Sequence, residues 1–180
     1  RWSTRSATSA SPPAPPTPAV QPAAASLAVT GLRCESQADP LGIGDPRPRL
    51  SWVLTSDRRG AAQTAYHVVV ASTAAGLAQD RGDLWDSGKV ASAQSVQVEY
   101  AGRPLRSRTI AHWKVRVWDA AGRPSADSPP ARFNTALLDP SQWRGAWIVH
   151  PETALRSGPL PVFRNEFVLD RPVTQAIALV

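Results

Sequence analysis

The groups in this 180-residue chain able to support acid–base, nucleophilic or metal chemistry are three histidines, one cysteine and fourteen carboxylates. His67, His112 and His150 fall on different predicted elements, without the roughly three-to-five-residue spacing of paired zinc ligands. No metal centre is expected, and strand-surface imidazoles are the better reading of His67 and His112. Cys34 follows Arg33, a neighbour that favours thiolate. No base accompanies it, so a structural thiol is expected, and a lone cysteine excludes an internal disulfide framework. Paired carboxylates are the machinery of glycoside hydrolysis. Here Asp83, Asp86, Asp119, Asp127, Asp139, Glu152, Glu166 and Asp170 fall mostly at turns or strand ends, where aspartate satisfies turn backbone. Arg58-Arg59-Gly60 and Arg103 read as turn residues in the same way. Gly-rich phosphate loops and Gly-x-Ser-x-Gly elbows are missing from the sequence. No catalytic residue, metal ligand or cofactor-binding residue is assigned, and no cofactor is expected.

Seven tryptophans are a high number for this length. Trp52 and Trp113 lie in alternating runs that mark them as core. Trp143 and Trp147 are expected to pack between two domains. Trp85 and Trp118 remain as the candidates for stacking on sugar rings, and exposure at those two positions would favour a carbohydrate-binding role.

The formal charge is +6 and the isoelectric point about 10.6, values that first suggest a polyanion partner. The distribution argues otherwise. Residues 1–30 carry two basic groups, 31–136 fourteen against ten acidic, and 137–180 four against four. Interleaved charge of this kind makes no stripe along a phosphate backbone, so no nucleic-acid partner is expected. No stretch approaches the roughly 20 apolar residues of a membrane span.

The elements that must position these groups are short. Residues 1–26 are mostly Ala, Pro, Ser and Thr, with six prolines between Pro12 and Pro22, and read as a disordered, semi-stiff tether. Such a tether is common in exported proteins and points to a secreted, periplasmic or cell-envelope location; cytoplasmic multidomain chains use the same device. The chain opens on Arg1 and contains no methionine, as expected of a sequence that has lost its start.

From 27 to 136, β-branched and aromatic runs alternate with turn signals. Strands are expected at Leu27–Cys34, Pro48–Leu54, Ala65–Ala71, Asp83–Asp86, Ser95–Tyr100, Ile110–Trp118 and Ala131–Thr135. In the fifth, Val96, Val98 and Tyr100 share a face. The sixth sets Trp113, Val115 and Val117 opposite Lys114, Arg116 and Trp118. The best helical window, Thr73–Asp80, holds Gly76, which weakens a helix by about 1 kcal/mol. An all-β, disulfide-free antiparallel sandwich of the fibronectin-type-III or immunoglobulin-like kind follows. Residues 137–180 read as the truncated start of a second β-sandwich domain, with strands at Val162–Leu169 and Val173–Val180.

As a set, these motifs resemble the N-terminal module of bacterial α-L-rhamnosidases of glycoside hydrolase family 78. The resemblance is carried by Leu32–Glu35, Pro40–Ile43, Pro46–Trp52, Gln63–Tyr66, Asp83–Val90, Trp113–Asp119, Trp143–Ile148 and Phe163–Phe167. It implies a parent hydrolase that removes terminal α-L-rhamnose with inversion, using two carboxylates in a helical barrel far downstream. Partners would then be the downstream domains of the same chain and, through the parent enzyme, a rhamnosylated glycoside or polysaccharide. None of the residues here matches the family's catalytic motif. One departure is visible: Ile110-Ala111-His112 stands where a tyrosine usually lies near, which puts a tyrosine-corner hydrogen bond in doubt.

Overall fold

The computed structural model describes residues 27–146, 148, 162–166 and 168–173. Among the described residues seven strands form in chain order: β1 (Ala28–Cys34), β2 (Arg49–Thr55), β3 (Gln63–Ala71), β4 (Trp85–Asp86), β5 (Val98–Glu99), β6 (Ile110–Asp119) and β7 (Ala131–Asn134). They make two antiparallel sheets, β1-β2-β5 and β4-β3-β6-β7, which face each other across one core. This is the expected sandwich. Each of the seven expected strands overlaps an observed one.

Period-two alternation places the core. In β6, Ala111, Trp113, Val115 and Val117 are fully buried, while the intervening His112, Lys114, Arg116 and Trp118 are half-buried on the other face. Leu50 and Trp52 of β2 and Tyr66, Val68 and Val70 of β3 meet them from both sheets. Trp52 and Tyr66 pack edge to face, with ring centroids 5.4 Å apart, a favoured aromatic geometry.

The fifth strand is shorter than its sequence pattern. Val98 and Tyr100 are buried, but Val96 is 60% exposed. Gln97 has φ +54°, which breaks the alternation. The Ser51 hydroxyl accepts its amide at 2.9 Å, and the Gln94 side chain donates to the carbonyls of Val96 and Gln97. A single turn of helix, α1 (Ala74–Ala78), forms within the weak helical window. Thr73 caps it through its hydroxyl, which accepts the Gly76 amide at 3.0 Å. Leu77 then covers Val69 and Ala71 on the outer face of β3.

Residues 1–26, His150, Glu152 and Trp147 lie outside the described residues. The described residues of 162–173 take no strand; the remainder of the two strands expected there lies outside the description. Among the described residues no helix is long and apolar enough to cross a membrane.

Candidate functional site

The outer face of the four-stranded sheet carries two clusters of charged groups. Antiparallel register pairs Asp86 of β4 with Val69 of β3, and His67, two residues along the same face, meets it with Nε2 and Oδ1 at 2.6 Å. The Asp86 carboxyl lies below the usual range because the Gly88 amide donates to it, with His67 adding to the effect against some burial. Lys114 reaches both Asp80 and Asp127, the latter at 2.7 Å, and Arg116 Nε donates to the same Asp127 at 2.6 Å. Burial alone would raise Asp127; the two cations overcome it and hold the carboxyl low.

Between α1 and β6–β7 lies an open groove of about 410 Å³, with Leu77, Ala78, Pro130 and Ala131 among its lining and His112 and Arg132 beside them. Asp39, also in the lining, accepts the Arg132 amide at 2.8 Å. Lys114 is committed to two carboxylates, and Ser128, also in the lining, accepts the Val115 amide and donates to Pro129 O, so its hydroxyl serves backbone.

The other expected carboxylates anchor backbone. Asp83 accepts the Ser72 hydroxyl at 2.6 Å and the Ser72 amide at 2.8 Å. Asp119 accepts the amides of Ala121 and Arg123 and the Arg123 guanidinium. Asp139 accepts the Ser141 amide at 2.9 Å. Glu166 pairs with Arg164 on the surface. Every resolved carboxyl shift is downward: Glu35, Asp83, Asp86, Asp119, Asp127 and Asp139. A glycosidase's proton donor needs the opposite, a raised pKa. Cys34 is 1% exposed and its thiol is pushed up to about 12 by burial, with the Glu35 charge adding to it. Among the described residues no group of three or more His, Cys, Asp or Glu is arranged to hold a metal ion.

Trp85 and Trp118 are both half-buried. Trp85 packs against the core, edge to face with Tyr100 at 5.4 Å between centroids. Tyr100 Oη lies 2.9 Å from the Leu84 carbonyl and 2.8 Å from that of Arg103. That tyrosine, just after β5, ties the backbone ahead of β4 to the loop at Arg103, where the tyrosine-corner position of β6 holds none. Trp118 lies on the outer face and carries Lys89 Nζ 4.6 Å from its ring centroid, a cation–π contact. The structure does not bring the two indoles onto a shared platform: one faces inward beside Tyr100, the other outward under Lys89.

Gln63 is a residue that sequence reasoning missed. It is 3% exposed, accepts the Trp52 indole N–H at 3.0 Å and donates to the carbonyls of Ser92 and Gln94 at 3.0 and 2.8 Å. The available signal was a core tryptophan, whose N–H needs a buried acceptor.

Comparison with known proteins bears on this architecture directly. The family described as Rha78A-like, N-terminal immunoglobulin domain, matches residues 29–139. An α-L-rhamnosidase of Streptomyces avermitilis is 50% identical over 125 residues, which cover 69% of this chain and 12% of that protein. The crystal structure of the Streptomyces avermitilis enzyme complexed with L-rhamnose superposes with TM-score 0.67 at 49% identity, over 71% of this chain and 12% of that one. The α-L-rhamnosidase from Dictyoglumus thermophilum gives TM-score 0.67 at 35% identity, over 69% and 14% respectively. The chain thus corresponds to about an eighth of the length of these relatives. With a disulfide-free two-sheet sandwich and a match spanning all seven of its strands, the chain belongs to the Rha78A-like N-terminal immunoglobulin domain family.

Proposed function

We propose that this chain is the N-terminal, non-catalytic part of an α-L-rhamnosidase. In this reading the parent hydrolyses terminal α-L-rhamnosyl linkages with inversion, through two carboxylates in a downstream domain, and acts on a rhamnosylated glycoside or polysaccharide. The observation that carries the proposal is the match to α-L-rhamnosidases at up to 50% identity, confined to 12–16% of their length. Support comes from the carboxylates described above, which serve backbone and cation partners. The division into a tether at 1–26, a sandwich at 27–136 and the start of a second β-sandwich at 137–180 is part of the same proposal. So is a secreted, periplasmic or cell-envelope location, which rests on the Pro- and Ala-rich opening.

The test is hydrolysis of an aryl α-L-rhamnoside by the full parent chain and by these 180 residues, with the anomer of the released sugar followed by NMR. Release by the parent as the inverted anomer, and none by the 180 residues, is the expected result. A parent that releases no rhamnose overturns the enzyme reading, and hydrolysis by the 180 residues overturns the non-catalytic role.

A second reading, a carbohydrate-binding module, is favoured only by the outward-facing Trp118. Its check is a fluorescence titration with L-rhamnose, in which saturation that disappears in Trp118→Ala would support it.

A further inference from the structure

The end of the sandwich from which the chain leaves is built unlike a hinge. β7 ends at Asn134, and the residues after it are fastened in succession. The Thr135 amide donates to the Thr109 carbonyl at 3.0 Å. Its hydroxyl donates to Arg106 O at 2.6 Å and accepts the Thr109 amide at 2.8 Å. The Ala136 amide donates to Ile43 O at 2.8 Å, and its carbonyl accepts the Arg108 amide at 3.0 Å. Ser107 Oγ then accepts the Leu138 amide at 2.8 Å, while the Leu138 side chain packs on the core. A short 3-10 turn, Pro140–Gln142, follows at once under its Asp139 cap. A flexible linker has free backbone and small polar residues; this strap has neither.

Beyond the strap lies an open recess lined by Ser107, Arg108, Leu137, Gln142, Trp143 and Arg144, among others. Trp143 is 50% exposed there. Polar surface around one large aromatic is the composition of a contact between domains of one chain. The family match ends at residue 139, inside this recess, so whatever follows the module in a family member starts on it.

We propose that this recess, with Ser107 and Arg108 on its sandwich side and Leu137–Gly145 on its other side, is where the domain that opens at residue 137 and continues in the parent chain packs back on the sandwich, and that the strap holds that domain at a fixed angle. The inference rests on the reading of the chain as part of a longer α-L-rhamnosidase.

Maleimide labelling of the full parent tests it. Cys34 is buried and labelled peptides are identified by mass spectrometry, so a cysteine introduced by Gln142→Cys or Arg108→Cys reports the recess, and Val53→Cys, at a position 52% exposed on β2, is the reference. The recess thiols are expected to react at least about tenfold slower than the reference, as groups covered in the native state do. A flexible Gly/Ser spacer inserted between Ala136 and Leu137 is expected to raise the Arg108→Cys thiol, on the sandwich side of the insertion, to the reference rate. Equal rates in the intact parent overturn the seat, and protection that survives the spacer overturns the fixed strap. If a cysteine variant fails to fold, hydroxyl-radical footprinting of the unsubstituted parent reads Trp143 directly: protection supports the seat, and oxidation as a free indole overturns it. Rhamnose release is scored on the same preparations. An active parent with an open recess overturns the seat alone; an inactive parent with a protected recess overturns the enzyme reading alone.

Discussion

Gln63 joins two sheets and a long crossover loop through one amide. Its oxygen takes the indole proton of Trp52 and its nitrogen serves two loop carbonyls. Gln63→Glu keeps the shape and reverses that logic, setting a buried carboxylate against two carbonyl oxygens. We expect a loss of about 3 kcal/mol in urea unfolding at pH 7. The loss should shrink on acidification, because a protonated glutamate regains one donor. A pH-independent effect would show that the amide's donors are not what matters. The wild-type chain has its own acid limit. The carboxyls of Glu35, Asp83, Asp86, Asp119, Asp127 and Asp139 sit below their ordinary values in the folded state, so the unfolded chain binds more protons. Stability from these groups is complete above the ordinary carboxyl range near about pH 4 and is lost as pH falls through the lowered values. Thermal melts between pH 7 and pH 3 should show a flat midpoint above about pH 5 and a steep fall below about pH 4. A midpoint that rises on acidification would contradict these assignments.

At the scale of elements, the short strand β4 is held by close backbone approach more than by ladder length. A methyl at Gly102 would overlap Leu84 O and stand 2.5 Å from Trp85 Cβ. Neither neighbour can yield without moving the loop that seats Trp85 against Tyr100. Gly102→Ala is therefore expected to cost about 2 kcal/mol or more in chemical denaturation and to shift the near-ultraviolet tryptophan signal. Helix α1 depends on its cap: Thr73→Ala is expected to cost about 1 kcal/mol, read by the same unfolding curves. β6 was legible in the sequence because one residue in two faces the core, from Ala111 to Val117. Val96 was not, since the left-handed turn at Gln97 depends on Ser51 of β2, 46 positions away. The ion pairs of Lys114 with Asp80 and Asp127 were hidden for the same reason: one partner lies after α1 and the other after β6. Turn aspartates such as Asp83 and Asp119 were legible because the backbone they satisfy is close in sequence or opposite a neighbouring strand end.

For the molecule as a whole, the fastening between Ile43 and Thr135 has a consequence for biosynthesis. The loop that precedes β2 is made early, yet its anchors are Asn134, which trades hydrogen bonds with Pro40 and Ile43, and Ala136, which donates to Ile43. Those residues belong to the last strand and the strap. A nascent chain can collapse around β2, β3 and β6, but its first loop has no resting place until the ribosome has released residue 138. The module thus completes as a unit, after its own last strand and ahead of whatever is translated next, in the N-terminal-first order of multidomain chains. Ribosome-bound chains in which residues only up to Ala126 have emerged should be cut readily by protease, and those in which Leu138 has emerged should resist. Equal resistance in both would mean that the early strands close without their late partners. If the parent chain continues as proposed, synthesis in this order would hand the following domain a finished surface, and the direction in which that domain grows would be set before its first strand exists.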